Sequence, residues 1–279
     1  MLVAMLLGCS TPQDDPLPGG VDSSDAVLDT APETVPELLT PEAVVAQLDD
    51  FFAVGVPSPA AVRAAYVEIL EHGDADCPGG TTEVLTPPEG CTSEEGYWFS
   101  GLASIQDGLE GGGGEDISGW SFSGEFEIID PEGRVFGAGG SIGSAYGDNE
   151  QGSFIASTMG GTWSLDDGPA FLDAGFSGLV EMNMNQFGED FRVGLDGAVS
   201  YGNTIVVSFS EMTASAQECR EHLLGLMQVR DANGRWYQVE MSDCTGCGMV
   251  SQDGLVLGEG CMKTVGIPEL IVTTLQAEL

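Results

Sequence analysis

The residues of this chain best suited to chemistry are its seven cysteines. Cys9 stands apart in Leu6-Leu7-Gly8-Cys9, and Cys77, Cys91, Cys219, Cys244, Cys247 and Cys261 follow much later. In an exported chain, an even set of six is expected to close as three disulfides. Cys77 and Cys91 bracket a loop rich in proline and glycine, and a bridge there would restrict the unfolded chain by about 3 kcal/mol. The other four allow three connectivities, with Cys219 near Cys247 or Cys244 and the remaining cysteine left for Cys261. Two other chemistries compete. Cys244-Thr245-Gly246-Cys247-Gly248 has the form of a zinc-ribbon knuckle, and Cys219 with Cys261 would complete the ligand set. His72 and His222, close in sequence to Cys77 and Cys219, keep metal open. A redox Cys-x-x-Cys wants a helix start after a strand in a βαβ unit, and none is visible.

Catalytic motifs are mostly excluded. Gly139-Gly140-Ser141-Ile142-Gly143 fits the nucleophile-elbow pattern, but an elbow lies between a strand and a helix, and Ser144-Ala145-Tyr146-Gly147-Asp148 continues as strand and turn. Neither histidine carries a signal that would pair it with Ser141. There is no G-x-G-x-x-G and no P-loop. No catalytic, cofactor-binding or metal residue is therefore assigned. Asp130, Asp166, Asp167, Asp196, Asp231 and Asp253 sit beside glycine or in turn sequences, where Asp favours the backbone geometry. Asp231-Ala232-Asn233-Gly234 is a fragment of a calcium loop, but the closing ligands of an EF-hand are missing, so any calcium is expected to load weakly. Tyr97-Trp98-Phe99, Trp163 and Trp236-Tyr237 would serve a sugar-stacking face or, as alternating aromatics more often do, the core of a sheet.

The composition bounds the partners. With 45 acidic residues against 7 basic ones the formal net charge is −38, so the surface repels phosphate backbones and nucleic-acid binding is excluded. No run of 18 apolar residues exists, so no transmembrane helix is expected. Glycine, at 41 residues, is about twice its usual share.

Leu6-Leu7-Gly8-Cys9 resembles the lipobox of bacterial lipoproteins. The resemblance implies that Cys9 is acylated and becomes the mature N-terminus, and Ser10 after it implies sorting to the outer membrane. The basic n-region of a signal peptide is missing, which places the expected start codon a few residues upstream. From Ser10 to Thr40 the chain carries seven acidic residues, no basic one and several prolines, a composition that cannot bury enough apolar surface to fold. Residues 1–9 are thus expected to be a truncated signal with its lipobox, and 10–39 an acidic tether.

The elements that must position the rest begin at Thr40. Thr40-Pro41 and Ser58-Pro59 are helix starts, and Gly55 and Gly73 are stops. A helical hairpin and a disulfide loop are expected over 40–95. From Gly96 the apolar period changes to two, as in Trp120, Phe122, Gly124, Phe126 and Ile128. Strands follow at 134–146, 153–165, 171–186, 191–201 and 204–213, joined by short turns, which predicts an antiparallel meander over 96–213. Glycines inside these strands imply a coiled sheet or a barrel. Over 214–279 cysteine-containing β hairpins are expected, with Pro268–Leu275 as a last strand and Thr213–His222 left undecided between helix and strand.

The fold expected is mainly β: one globular domain of an antiparallel meander, a small N-terminal helical hairpin and C-terminal hairpins. Gly73-Asp74-Ala75-Asp76-Cys77-Pro78-Gly79 and Gly90-Cys91-Thr92 through Gly101 are similar to segments of uncharacterised Gram-negative surface lipoproteins, which imply no transferable activity. The functional expectation is an outer-membrane lipoprotein, periplasmic or surface-exposed, held through its N-terminal lipid. Its role would be structural or ligand-binding, with any protein or glycan partner left unspecified. The alternative is an exported hydrolase using carboxylates or a metal.

Overall fold

The computed structural model describes residues 37–79, 83–108, 117–149, 152–187, 190–202 and 204–277. Cys9 and the tether lie outside them. Residues 38–279 make one compact unit.

Helices α1 (Pro41–Val54) and α2 (Pro59–Leu70) start where the sequence places them. Thr40 and Ser58 side chains accept from the backbone N–H of Ala43 and Ala61, and a proline occupies the first helical turn of each. They form a bent helix rather than a self-packed hairpin. Each lies on its own part of the sheet, because each carries an apolar stripe: Val44, Val45, Leu48, Phe51 and Phe52 on α1, and Val62, Tyr66 and Leu70 on α2.

The sheet contains β1 (Glu83–Leu85), β2 (Cys91–Thr92), β3 (Trp98–Asp107), β4 (Ile117–Ile129), β5 (Val135–Asn149), β6 (Gly152–Leu165), β7 (Phe176–Phe187), β8 (Asp190–Tyr201), β9 (Ile205–Ser215), β10 (Leu224–Arg230), β11 (Trp236–Met241), β12 (Cys247–Gln252) and β13 (Leu255–Cys261). A short helix α3 (Ala170–Asp173) precedes β7, and α4 (Ile267–Gln276) ends the chain. Every pairing from β3 to β13 joins sequence neighbours antiparallel, β1 and β2 add to β3, and among the described residues no pairing joins β1 to β13. The meander is the consequence of short turns, which leave each strand no partner nearer than the previous one.

Two expectations are corrected. Pro268–Leu275 is helix: Gly266 adopts a left-handed conformation before it, Pro268 sits in the first turn, and Ile267, Ile271 and Leu275 fall on one buried helical face. A run this short and apolar fits either period, and the packing against the sheet decides. Residues Ala170–Asp173 are helix rather than the start of β7. The undecided segment resolves as strand to Ser215, then turns up to His222.

The helices share the buried face of the sheet. Phe51 stacks on Tyr201 at 4.9 Å and touches Phe209, and Tyr66 packs among Phe122, Phe126 and Phe136. Glycines are aligned across the sheet. Gly124, Gly140, Gly161 and Gly178 are directly paired, strand to strand, from β4 to β7. A Cβ on Gly161 would lie 2.1 Å from the Gly139 carbonyl oxygen, and one on Gly178 2.2 Å from that of Ala198. The row is a crease at which backbones approach too closely for any side chain.

The three expected disulfides are present: Cys77–Cys91, Cys219–Cys244 and Cys247–Cys261. Multiple disulfides identify an extracytoplasmic protein. They also correct the four-cysteine zinc alternative, since no sulfur of Cys219, Cys244, Cys247 or Cys261 is a free thiolate. The register explains the connectivity: Cys247 and Cys261 are directly opposed on β12 and β13, which leaves Cys219 to Cys244.

Candidate functional site

One five-residue device occurs twice at the ends of the sheet. In Asp130-Pro131-Glu132-Gly133-Arg134, between β4 and β5, the Oδ1 of Asp130 accepts from the backbone N–H of Glu132 (2.9 Å) and Arg134 (2.8 Å), while Arg134 Nε donates to Oδ2 at 2.5 Å. In Asp231-Ala232-Asn233-Gly234-Arg235, between β10 and β11, Asp231 accepts from Asn233 (2.9 Å) and Arg235 (2.8 Å), and Arg235 Nε donates to Oδ2 at 2.8 Å. The glycine of each turn has a positive φ, 87° and 83°. Both carboxyls are held below the usual carboxylate range. Burial alone would raise them, but the backbone and guanidinium donors outweigh it. The second copy is the expected calcium-loop fragment, and its carboxylate is consumed by the turn. The spacing D-x-x-G-R is common to both turns and is legible in the sequence when the two are compared.

The first copy borders a cleft of about 260 Å³ between the end of α2, the β4–β5 turn and the end of β6. Its floor is apolar, from Ile69, Ile128, Phe136 and Leu165, and its rim carries His72, Tyr97, Arg134, Asp166 and Asp167. His72 stacks flat on Tyr97, with ring centroids 4.3 Å apart, and its Nδ1 lies 2.7 Å from Glu95 Oε2. Burial, followed by the nearby Asp130 and Glu132 charges, raises the Tyr97 hydroxyl above its ordinary value. Arg134 reaches Asp167 at 3.6 Å, and Asp166 accepts from the Val135 N–H at 3.1 Å. The lining includes no serine, threonine or cysteine, and its groups capable of nucleophilic or acid–base work are His72, Tyr97 and the carboxylates. Most of its charged groups already serve each other or the backbone.

The other sequence candidates disperse. Ser141 is exposed in the middle of β5, far from any strand-to-helix turn, in keeping with the exclusion of the nucleophile elbow. Asp196 accepts from the Glu211 N–H at the β8–β9 bulge, and Asp253 sits in the β12–β13 turn. His222 is buried against Gly246 rather than aimed at a cavity. Cys247, Cys261 and Glu259 converge within 4.8 Å, but the two sulfurs bond to each other. Of the aromatics, Phe99, Trp163 and Tyr237 are core, as expected, while Trp236 is 38% exposed. No protein-family model, curated protein or solved structure matches this chain.

Proposed function

We propose that this protein is a lipid-anchored envelope protein that works by holding a ligand or partner rather than by turning over a substrate. The observation that carries the reading is the state of its acid groups: Asp130, Asp166 and Asp167 in the cleft beside α2 are engaged with turn backbone and Arg134. Three disulfides support an extracytoplasmic place, and the lipobox-like Leu6-Leu7-Gly8-Cys9 followed by an acidic tether supports anchoring at the outer membrane. Several acyl chains on one cysteine would hold firmly where one is marginal. Labelling cells with radioactive fatty acid tests the anchor: incorporation in the wild type and loss in Cys9→Ala is expected, and equal labelling would refute it. Mass spectrometry of protein extracted from membranes checks the same reading, with a lipid-modified Cys9 at the mature N-terminus and no free thiol among the other six.

A further inference from the structure

We propose that the outer face of β10–β12 around Trp236 is a carbohydrate-binding platform for a neutral glycan chain. The inference rests on the reading of the protein as an extracytoplasmic binding protein and names one ligand class for it, at a face separate from the cleft beside α2.

The register sets out the site. Trp236 and Gln238 are two residues apart on β11 and so share its outer face, opposite the buried Tyr237 and Val239. Gln238 is directly opposed to Gln228 on β10 and to Ser251 on β12, and Gln228 in turn to Ser208 on β9. A ladder of hydroxyl, amide, amide and hydroxyl therefore crosses four strands, with heads repeating about every 4.8 Å, close to the length of one pyranose ring. Trp236, Gln228, Gln238 and Asp253 line one shallow groove of about 310 Å³. Among the described residues, no protein group hydrogen-bonds the Gln228 and Gln238 amides or the Trp236 indole N–H.

Each part matches one need of a sugar. An exposed indole gives a flat apolar surface for the C–H face of a pyranose and carries a donor at its edge. A side-chain amide offers two donors and an acceptor, which suits the paired donor and acceptor character of vicinal hydroxyls. A carboxylate at the rim adds an acceptor for strong hydroxyl bonds. Arg230, directly opposed to Trp236, places a basic residue on the same face beside the groove. The strongly acidic chain repels polyanions, which favours a neutral glycan over an acidic one. Exposed Val256, directly opposed to Ser251, extends the apolar rim on β13.

The test is affinity electrophoresis of the full-length protein through native gels containing a mixed-linkage β-glucan, a mannan or a dextran. The wild type is expected to be retarded by at least one, with Trp236→Ala about 30-fold weaker, the scale of losing a central interface tryptophan. Gln238→Ala should weaken binding less, and Trp236→Phe should keep part of it. Unchanged circular dichroism of the Trp236→Ala protein separates lost binding from lost folding, since the side chain is on the surface. Free passage of the wild type through all three gels, or equal retardation of Trp236→Ala, would overturn the proposal. Neither result depends on lipidation at Cys9, so it is distinguishable from failure of the anchor.

Discussion

Tyr66 is fully buried beneath α2 among three phenylalanines, and its hydroxyl has no hydrogen-bond partner among the described residues. Burial raises its pKa far above the ordinary tyrosine value. An unmatched buried hydroxyl costs stability, so Tyr66→Phe is expected to raise stability by about 1 kcal/mol in urea titration. The Asp231 turn is the opposite case, a polar group fully used. Its carboxyl is depressed below the unfolded value of about 3.9, so its contribution is present above that pH and lost as pH falls through the folded pKa. Asp231→Asn should therefore be less stable than the wild type at pH 7, and the gap should narrow as both are unfolded at pH 3 and below. A constant gap across the acid range would refute the assignment. The chemistry of such turns was legible in Asp, Gly and Arg at fixed offsets, but which carboxylates stay free for a ligand was not. That depends on backbone N–H groups whose direction the fold sets.

At the scale of elements, the crease is the feature with the sharpest consequence. Gly161 combines a φ of 109° with a neighbouring carbonyl oxygen 2.1 Å from where a Cβ would stand. Gly161→Ala is expected to cost ~3 kcal/mol or to prevent folding, read as a lowered melting temperature or loss of soluble protein. Gly139→Ala, two strand positions from Ser141 and with open space at its Cβ, is the matched control and should be nearly neutral. The glycine count pointed to bulges or close backbone approach, and the strand boundaries followed from alternation in most places. The pairing of Gly124, Gly140, Gly161 and Gly178 into one line was not visible, because it requires the register of four strands at once. The last helix was misread for a related reason: a short apolar run has no period strong enough to choose, and the sheet it packs on made the choice.

At the scale of the molecule, the charge of −38 works against compaction, and the disulfides work for it. Screening the repulsion should raise the melting temperature as sodium chloride goes from 10 mM to about 500 mM, most steeply at the low end. A fall with added salt would mean that specific ion pairs outweigh the repulsion. The Cys77–Cys91 bridge closes a loop of 14 residues, and a double change to serine is expected to remove about 3 kcal/mol in the same denaturation assay. Asp49 on α1 accepts from the backbone N–H of both Lys263 and Thr264, tying the first helix to the last segment. Contacts of this span make the unit cooperative, and one transition is expected from it.

The sequence by itself determined the class of the fold, the starts of the first two helices, the run of strands and the number of disulfides. These follow from local signals: caps, alternation, turns and cysteine parity. The tertiary structure decided which cysteines meet, that the tail is a helix, and that Trp236 stays on the surface while Trp163 and Tyr237 are buried. Each of these depends on strand register, where a shift of one residue moves a side chain to the other face, and no local pattern in the chain fixes register across thirteen strands.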